Sequence, residues 1–241
     1  MGTVYPELDE RLISFITSQP VFFVATAPCL NGSGGLDVSA GLDVSAGLDT
    51  ASGIDAARGD DTAGGLDAAG DPDGSGGSGH VNVSPKGYRD TFAVLDALTV
   101  AYLDLSGSGA ETIAHLRQNG RITIMFCSFG RTPKILRIYG RGRPVLPADP
   151  DWAVLAAHFK ADHGSGTGTD RGNQRAIIVV AVDRIADSCG YAVPVMELME
   201  ERDLLTRWSQ RRSAEDLAEY RVKHNTVSID GLPALGSQRC T

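Results

Sequence analysis

The chain has 241 residues and a formal charge of −8, but 48 of them, Asn31 to Ser78, hold 13 glycines, nine aspartates and a single basic residue, Arg58. Outside that segment 21 basic and 21 acidic side chains balance, so the body lacks the clustered Lys and Arg that general nucleic-acid binding needs. With 42% hydrophobic residues it can bury one sizeable core, and its longest apolar runs, Val21 to Leu30 and Ala176 to Val182, fall short of the ~20 residues of a spanning helix.

In chain order, Leu8, Leu12, Phe15 and Ile16 lie at helical spacing between Glu7 and Gln19. Pro20 ends that pattern ahead of a β-branched and aromatic strand, Val21 to Ala27. The acidic start, with Glu7, Asp9 and Glu10, does not read as a secretory leader, and a cytoplasmic location is expected. Four cysteines, Cys29, Cys127, Cys189 and Cys240, lie far apart with no Cys-x-x-Cys pair, which predicts reduced thiols and no metal site.

From Gly35 to Arg58 the sequence repeats every six residues, beginning Gly-Leu-Asp-Val-Ser-Ala. Such a period occurs in parallel β-helices, and Asp-rich glycine repeats bind calcium. Four copies barely complete one coil, however, and the alternating Gly and Asp of the calcium repeats is missing. One small aliphatic per six residues buries too little to offset chain entropy, so residues 31–78 are expected to form a disordered loop. Loop closure grows only slowly with length, and the fold should tolerate the insertion.

Beyond the insert, His80, Asn82 and Ser84 alternate with Val81 and Val83, placing a polar face on a strand. Phe92 to Leu95 and Thr99 to Leu105 form a strand pair around Asp96-Ala97; Ile122 to Phe126, Ile135 to Tyr139 and Ala176 to Val182 add more. Helices are predicted at Ala110 to Gln118, Trp152 to Ala161 and Val195 to Arg211. In the last, Val195, Leu198, Met199, Leu205 and Trp208 make an apolar stripe suited to packing. Short strands with few helices, closed to remove edges, predict a mainly β (α+β) barrel with peripheral helices.

Two segments suit an anion. Ser106-Gly-Ser-Gly-Ala-Glu-Thr112 leaves a strand through two glycines and starts a helix, with Ser108 and Glu111 spaced for a capping box. Glycines let a phosphate approach the backbone, and a helix start presents unpaired amides, although Glu111 competes for the same positive end. Ser84-Pro-Lys-Gly87 places the Lys86 ammonium at a strand end. Arg137, Arg141 and Arg143 alternate along one strand face, where solvent exposure is the ordinary explanation. Nucleophile-elbow, zinc-protease and P-loop patterns are absent. His115, His158, His163 and His224 have no carboxylate at a persuasive spacing and read as structural or solvated.

Taken as an ordered set, Phe22-Phe-Val-Ala-Thr-Ala27, His80-Val-Asn-Val-Ser-Pro-Lys-Gly87, Thr99-Val-Ala-Tyr-Leu-Asp104, Gly109-Ala-Glu-Thr112, Asn119-Gly-Arg-Ile-Thr-Ile-Met-Phe126 and Ile135-Leu-Arg-Ile-Tyr-Gly-Arg-Gly142 resemble the pyridoxamine 5′-phosphate oxidase-like flavoproteins. The resemblance implies an FMN-binding split β-barrel over residues 1–187, with the insert in the turn between the first two barrel strands. It implies a homodimer holding two FMN molecules at the subunit interface, and a small-molecule substrate oxidised or reduced through flavin N5. Carried onto this chain, the cofactor-binding set is Asn82, Ser84, Lys86, Ser106, Ser108, Thr112 and Arg137, with no catalytic side chain assigned. The segment 188–241, from Ser188-Cys-Gly-Tyr-Ala-Val-Pro-Val-Met196 through Glu201-Arg-Asp203 to Ser228-Ile-Asp-Gly-Leu-Pro233, resembles the tail of an uncharacterised bacterial and fungal subgroup and is expected to pack on the barrel or on a partner copy.

Departures from the oxidase pattern bear on substrate. Val81 stands where the oxidase has a strand arginine, Ala110-Glu-Thr112 where it has Ser-Arg-Lys, and Ile135 where it has glutamine. Trp208 is followed by Ser-Gln-Arg rather than Arg-Leu-x-Pro. These changes argue against pyridoxamine phosphate as substrate. They leave a deazaflavin as the alternative cofactor, and a non-catalytic flavin- or haem-binding protein as the alternative function.

Overall fold

The computed structural model describes residues 2–29, 79–159 and 173–235. The expected disordered loop 31–78, His163 and Cys240 lie outside the described residues. The elements are β1 (Val4–Tyr5), α1 (Glu10–Ser18), β2 (Phe22–Thr26), β3 (Asn82–Lys86), β4 (Phe92–Asp96), β5 (Thr99–Leu105), α2 (Glu111–Asn119), β6 (Arg121–Cys127), β7 (Ile135–Val145), α3 (Trp152–Ala156), β8 (Gln174–Ser188), α4 (Leu204–Gln210) and α5 (Ala214–His224), with a single 3-10 turn at Arg89–Thr91.

Period-two burial explains why β2 is a strand: Phe22, Val24 and Thr26 turn inward while Phe23 and Ala25 do not. The sheet runs β3-β2-β6-β7-β8-β5-β4 with β1 added beside β8, and every pairing is antiparallel. Its two end strands, β3 and β4, are not hydrogen-bonded neighbours, yet β4 packs its side chains on β2 and β6, so the sheet curls into a split barrel with peripheral helices. Side chains bridge the seam instead. Phe92 of β4 stands edge-on to Phe22 of β2 and to Phe126 of β6, with ring centroids 5.1 Å apart in both pairs, an arrangement that adds about 0.5–1.5 kcal/mol per pair beyond burial.

Inside, Val24, Val100, Ile124, Leu136, Ile138, Ile178 and Ile185 are fully buried. α1 lays Leu12 and Ile16 on this core, its first turn capped by the Asp9 carboxylate accepting from the Leu12 amide. β7 and β8 bulge at Tyr139/Gly140. A Cβ on Gly140 would lie 2.2 Å from the Ala181 carbonyl oxygen, so only glycine lets these strands close.

Three expectations need correction. No helix forms over residues 195–203, where the chain runs irregularly; only α4 lies within the predicted span. A short helix needs a surface on which to bury its apolar stripe, and Val195, Leu198 and Met199 find none, remaining 71%, 46% and 86% exposed. α5 was missed, although Ser213 and Asp216 form its capping box. The Ser108/Glu111 capping box is absent: Ala110 is the N-cap of α2, with no side-chain cap.

Candidate functional site

A cleft of ≈ 370 Å³ opens beside the barrel seam, between β3, the Arg89–Thr91 turn, β5, the loop 106–110 and the start of α2. Its size lies in the range, roughly 300–1,000 Å³, of small-molecule and cofactor sites. Asn82, Ser84 and Lys86 reach it because β3 alternates: Val81 and Val83 point outward, 70% and 62% exposed. Leu103, Leu105, Tyr88 and Leu205 supply apolar wall. Tyr88 has φ 62 and ψ 102, a conformation costing a residue with a side chain about 1–3 kcal/mol. Such strain collects at ligand-facing positions.

The floor is ionic. Asp104, at the end of β5 and 1% exposed, accepts from Lys86 Nζ at 3.0 Å through Oδ1. Its Oδ2 accepts from Arg175 Nε at 2.8 Å and lies 2.7 Å from Arg175 Nη2. Arg175 Nη1 donates to the Gly109 carbonyl oxygen at 2.7 Å. Burial alone would raise the Asp104 pKa; the fields and hydrogen bonds of Arg175 and Lys86 overcome it and hold the carboxyl below its ordinary range. Two cations therefore meet one carboxylate and leave a net positive charge. Burial, and then the Asp104 charge, push the neighbouring Tyr102 phenol well above its ordinary value, so it stays protonated.

A second layer of polar groups joins the cleft wall to the barrel interior. Ser84 Oγ donates to Asn82 Oδ1 at 2.9 Å. Asn82 Nδ2 donates to Thr26 Oγ at 3.1 Å and to Thr112 Oγ at 3.0 Å. Thr26 Oγ lies 3.0 Å from Nδ1 of His115, which is fully buried in α2.

The C-terminal segment covers the loop from outside. Arg221 Nε donates to Ser106 Oγ at 2.8 Å. Asn225 Nδ2 donates to the carbonyl oxygens of Gly107 at 3.0 Å and Gly109 at 3.4 Å. The Ile229 amide donates to both Glu111 carboxylate oxygens at 3.2 Å. Glu111 is thus occupied by the tail's main chain, at the uncapped helix start where an incoming anion would meet it.

Six of the seven sequence-selected residues, Asn82, Ser84, Lys86, Ser106, Ser108 and Thr112, line this one cleft. The seventh, Arg137, does not: it sits on β7 and donates from Nη1 to Ser188 Oγ at 3.1 Å. Sequence reading missed the partnership of Asp104 with Arg175, and the contributions of Arg221, Asn225 and His115. The one local signal was Arg175 itself, a cation placed directly before the apolar run Ala176 to Val182.

Residues 68–189 match the family model described as pyridoxamine 5′-phosphate oxidase. The pyridoxamine 5′-phosphate oxidase family protein ustO of Aspergillus flavus is 38% identical over 172 residues, covering 66% of each chain. Among solved structures, HupZ of Group A Streptococcus superposes with a TM-score of 0.41 at 16% identity, covering 74% of this chain and 91% of its own. A FAD-binding protein from Mesorhizobium loti gives 0.37 at 13%, covering 76% and 96%. By the family match, which takes in β3 to β8 and the cleft residues from Asn82 to Arg175, the chain belongs to the pyridoxamine 5′-phosphate oxidase family.

Proposed function

We propose that the protein is an FMN-dependent oxidoreductase acting on a small molecule other than pyridoxamine phosphate. The observation that carries this reading is the convergence of Lys86 and Arg175 on one buried carboxylate, directly beneath a glycine-rich loop and an uncapped helix start. Such a floor favours a phosphate: Lys86 and Arg175 outweigh the single carboxylate of Asp104, amides and the Ser108 and Thr112 hydroxyls stand nearby, and the Glu111 carboxylate at the helix start is engaged by the Ile229 amide. Arg175, arriving from β8, supplies the second cation that Val81 cannot, so the donor set fits the phosphate of FMN.

Bound there, the flavin would supply hydride transfer at N5. The chain's own residues have three tasks. Lys86, Arg175, Ser108 and Thr112 hold the anionic end; Asn82 and Ser84 position polar atoms farther along the cleft; Leu103, Leu105, Tyr88 and Leu205 keep water away. We further propose a homodimer, since the seam side and the exposed apolar residues Val195, Met196, Leu198 and Met199 offer a surface that a second copy would cover.

The test is the absorption spectrum of the purified protein, mass spectrometry of whatever is released on denaturation, and anaerobic reduction by nicotinamide donors. A yellow dimer that releases FMN and bleaches with donor supports the reading. A protein that takes up no flavin from solution overturns it, and one that binds FMN which no donor reduces is a flavin carrier instead.

A further inference from the structure

The polar chain from Ser84 through Asn82 and Thr26 to His115 has a direction. Asn82 spends both N–H groups of its amide on the hydroxyl oxygens of Thr26 and Thr112, which leaves its Oδ1 to accept from Ser84. The Thr26 hydroxyl, accepting from Asn82, has one proton of its own to place. Of its two side-chain partners only His115 Nδ1, at 3.0 Å, can receive it, which places the ring's own proton on Nε2, buried with no partner among the described residues. Thr26 is 4% exposed and His115 fully buried, so no bulk water substitutes.

We propose that His115 is a positioning residue: its neutral ring accepts from Thr26, and this fixes the Asn82 amide so that Ser84 turns lone pairs, not a proton, toward the bound ligand. The ligand atom beside Ser84 is therefore a hydrogen-bond donor. On the flavin reading, on which only the identity of that donor rests, it is a ribityl hydroxyl or the ring imide N–H.

A charged ring cannot play this part. With a proton on Nδ1, His115 donates to Thr26, the Thr26 proton turns to Asn82, and the amide must present Oδ1 inward and Nδ2 toward Ser84. Ser84 then has its proton free for the cleft, facing a donor. Burial disfavours that charge and lowers the ring's pKa, with Glu111, Asp230 and the Thr26 main chain pulling the other way. Of the charged groups on the surrounding elements, Asp230 is itself held by His80. Arg121 of β6 and Arg141 of β7 donate to the Pro28 and Asn119 carbonyl oxygens at the opposite end of α2.

Two measurements decide it. In ligand-free protein labelled with ¹⁵N-histidine, the His115 ring should show an unprotonated Nδ1 and a protonated Nε2 at neutral pH; the reverse tautomer overturns the proposal. FMN titrations across acidic pH should then show affinity falling by up to about tenfold per unit as the ring takes up one proton. That step should vanish in Thr26→Val and return in Thr26→Ser. The phosphate of FMN titrates similarly in all three proteins, so the difference between profiles isolates His115. Identical profiles overturn the proposal. If FMN binds none of the three, the flavin reading fails, while the tautomer of the ligand-free protein still decides the polarity.

Discussion

The barrel wall of the cleft and the tail that covers it are built on different principles. β5 is held by ladder hydrogen bonds and a dry core and β3 by its ladder to β2, and their cleft residues follow from strand alternation and from an ionic floor centred on the buried Asp104. The tail, residues 189–235, leaves much of its apolar surface bare and docks through individual polar contacts: Arg221 on Ser106, Asn225 on two glycine carbonyls, Ile229 on Glu111, Asp230 on His80. Among the described residues of the tail, Ala234 enters the main core cluster, and Leu232 and Leu235 pack against it half-buried. Loss of a wall residue should therefore register mainly in folding or in anion affinity, and loss of a tail contact in local order.

The largest effect is expected at the floor. Asp104→Asn strands Arg175, 6% exposed, as a buried cation, and unfolding should be eased by about 3–5 kcal/mol in denaturant melts, the range for a broken buried pair. An anion should partly replace the lost charge, so FMN should raise the melting temperature of this variant more than that of the parent. Equal shifts would place the ligand's phosphate elsewhere. Next, Lys86→Met keeps Asp104 paired with Arg175 while deleting one cation. FMN affinity should fall by about 1.5–3 kcal/mol, the worth of a hydrogen bond to a charged group, as read by fluorescence titration, and stability by about 1–3 kcal/mol as the buried Asp104 Oδ1 loses its donor.

On the tail side, Asn225→Ala removes the donor to Gly107 and should cost about 1–3 kcal/mol as that carbonyl loses its partner, whereas Gly109 keeps Arg175. Faster amide exchange should be confined to residues 213–235 and the loop 106–110. Global loss of protection would mean the tail is as integral as the strands.

The smallest expected effect is the pH response of the tail's last anchor. His80 Nδ1 stands 2.7 Å from Asp230 Oδ1. The hydrogen bond and then the charge of Asp230 raise the His80 pKa above its ordinary 6.5. Burial would raise Asp230, but its hydrogen bonds with His80 prevail and hold it below its ordinary 3.8. A raised histidine stabilises docking below its unfolded pKa and loses that contribution as pH rises through the folded one. The depressed carboxylate contributes above its unfolded pKa and loses this as pH falls. Protection of the Asp230 region against exchange should thus be greatest between about pH 4 and 6.5 and decline toward pH 8. His80→Gln should flatten the alkaline decline.

The two regions also differ in how far they could be read in advance. Strand alternation put Asn82 and Ser84 on one face and Val81 and Val83 on the other, and that division is the one observed, because a two-residue period is a local property of the backbone. Ser106 to Thr112 was legible for the same reason, since glycines between a strand and a helix mark a turn whatever surrounds them. The proposed Ser108/Glu111 cap failed because local spacing offered Glu111 to its own helix, whereas the tail's Ile229 amide, 118 residues away, claims it. Likewise the stripe from Val195 to Trp208 had helical periodicity, but periodicity only supplies a face; whether a neighbour buries it depends on the rest of the molecule.

From the sequence alone came the β-rich class, the strand positions, the ordered motifs of the family and six residues of the cleft, all of them consequences of short-range pattern. Tertiary structure alone paired Arg175 with Asp104, placed Arg137 outside the cleft, laid the tail over the loop and connected His115 to Ser84 through Thr26 and Asn82. Those facts depend on which strands become neighbours when the sheet curls, and hydrogen bonds and ion pairs act over a few ångströms in space with no regard for distance along the chain.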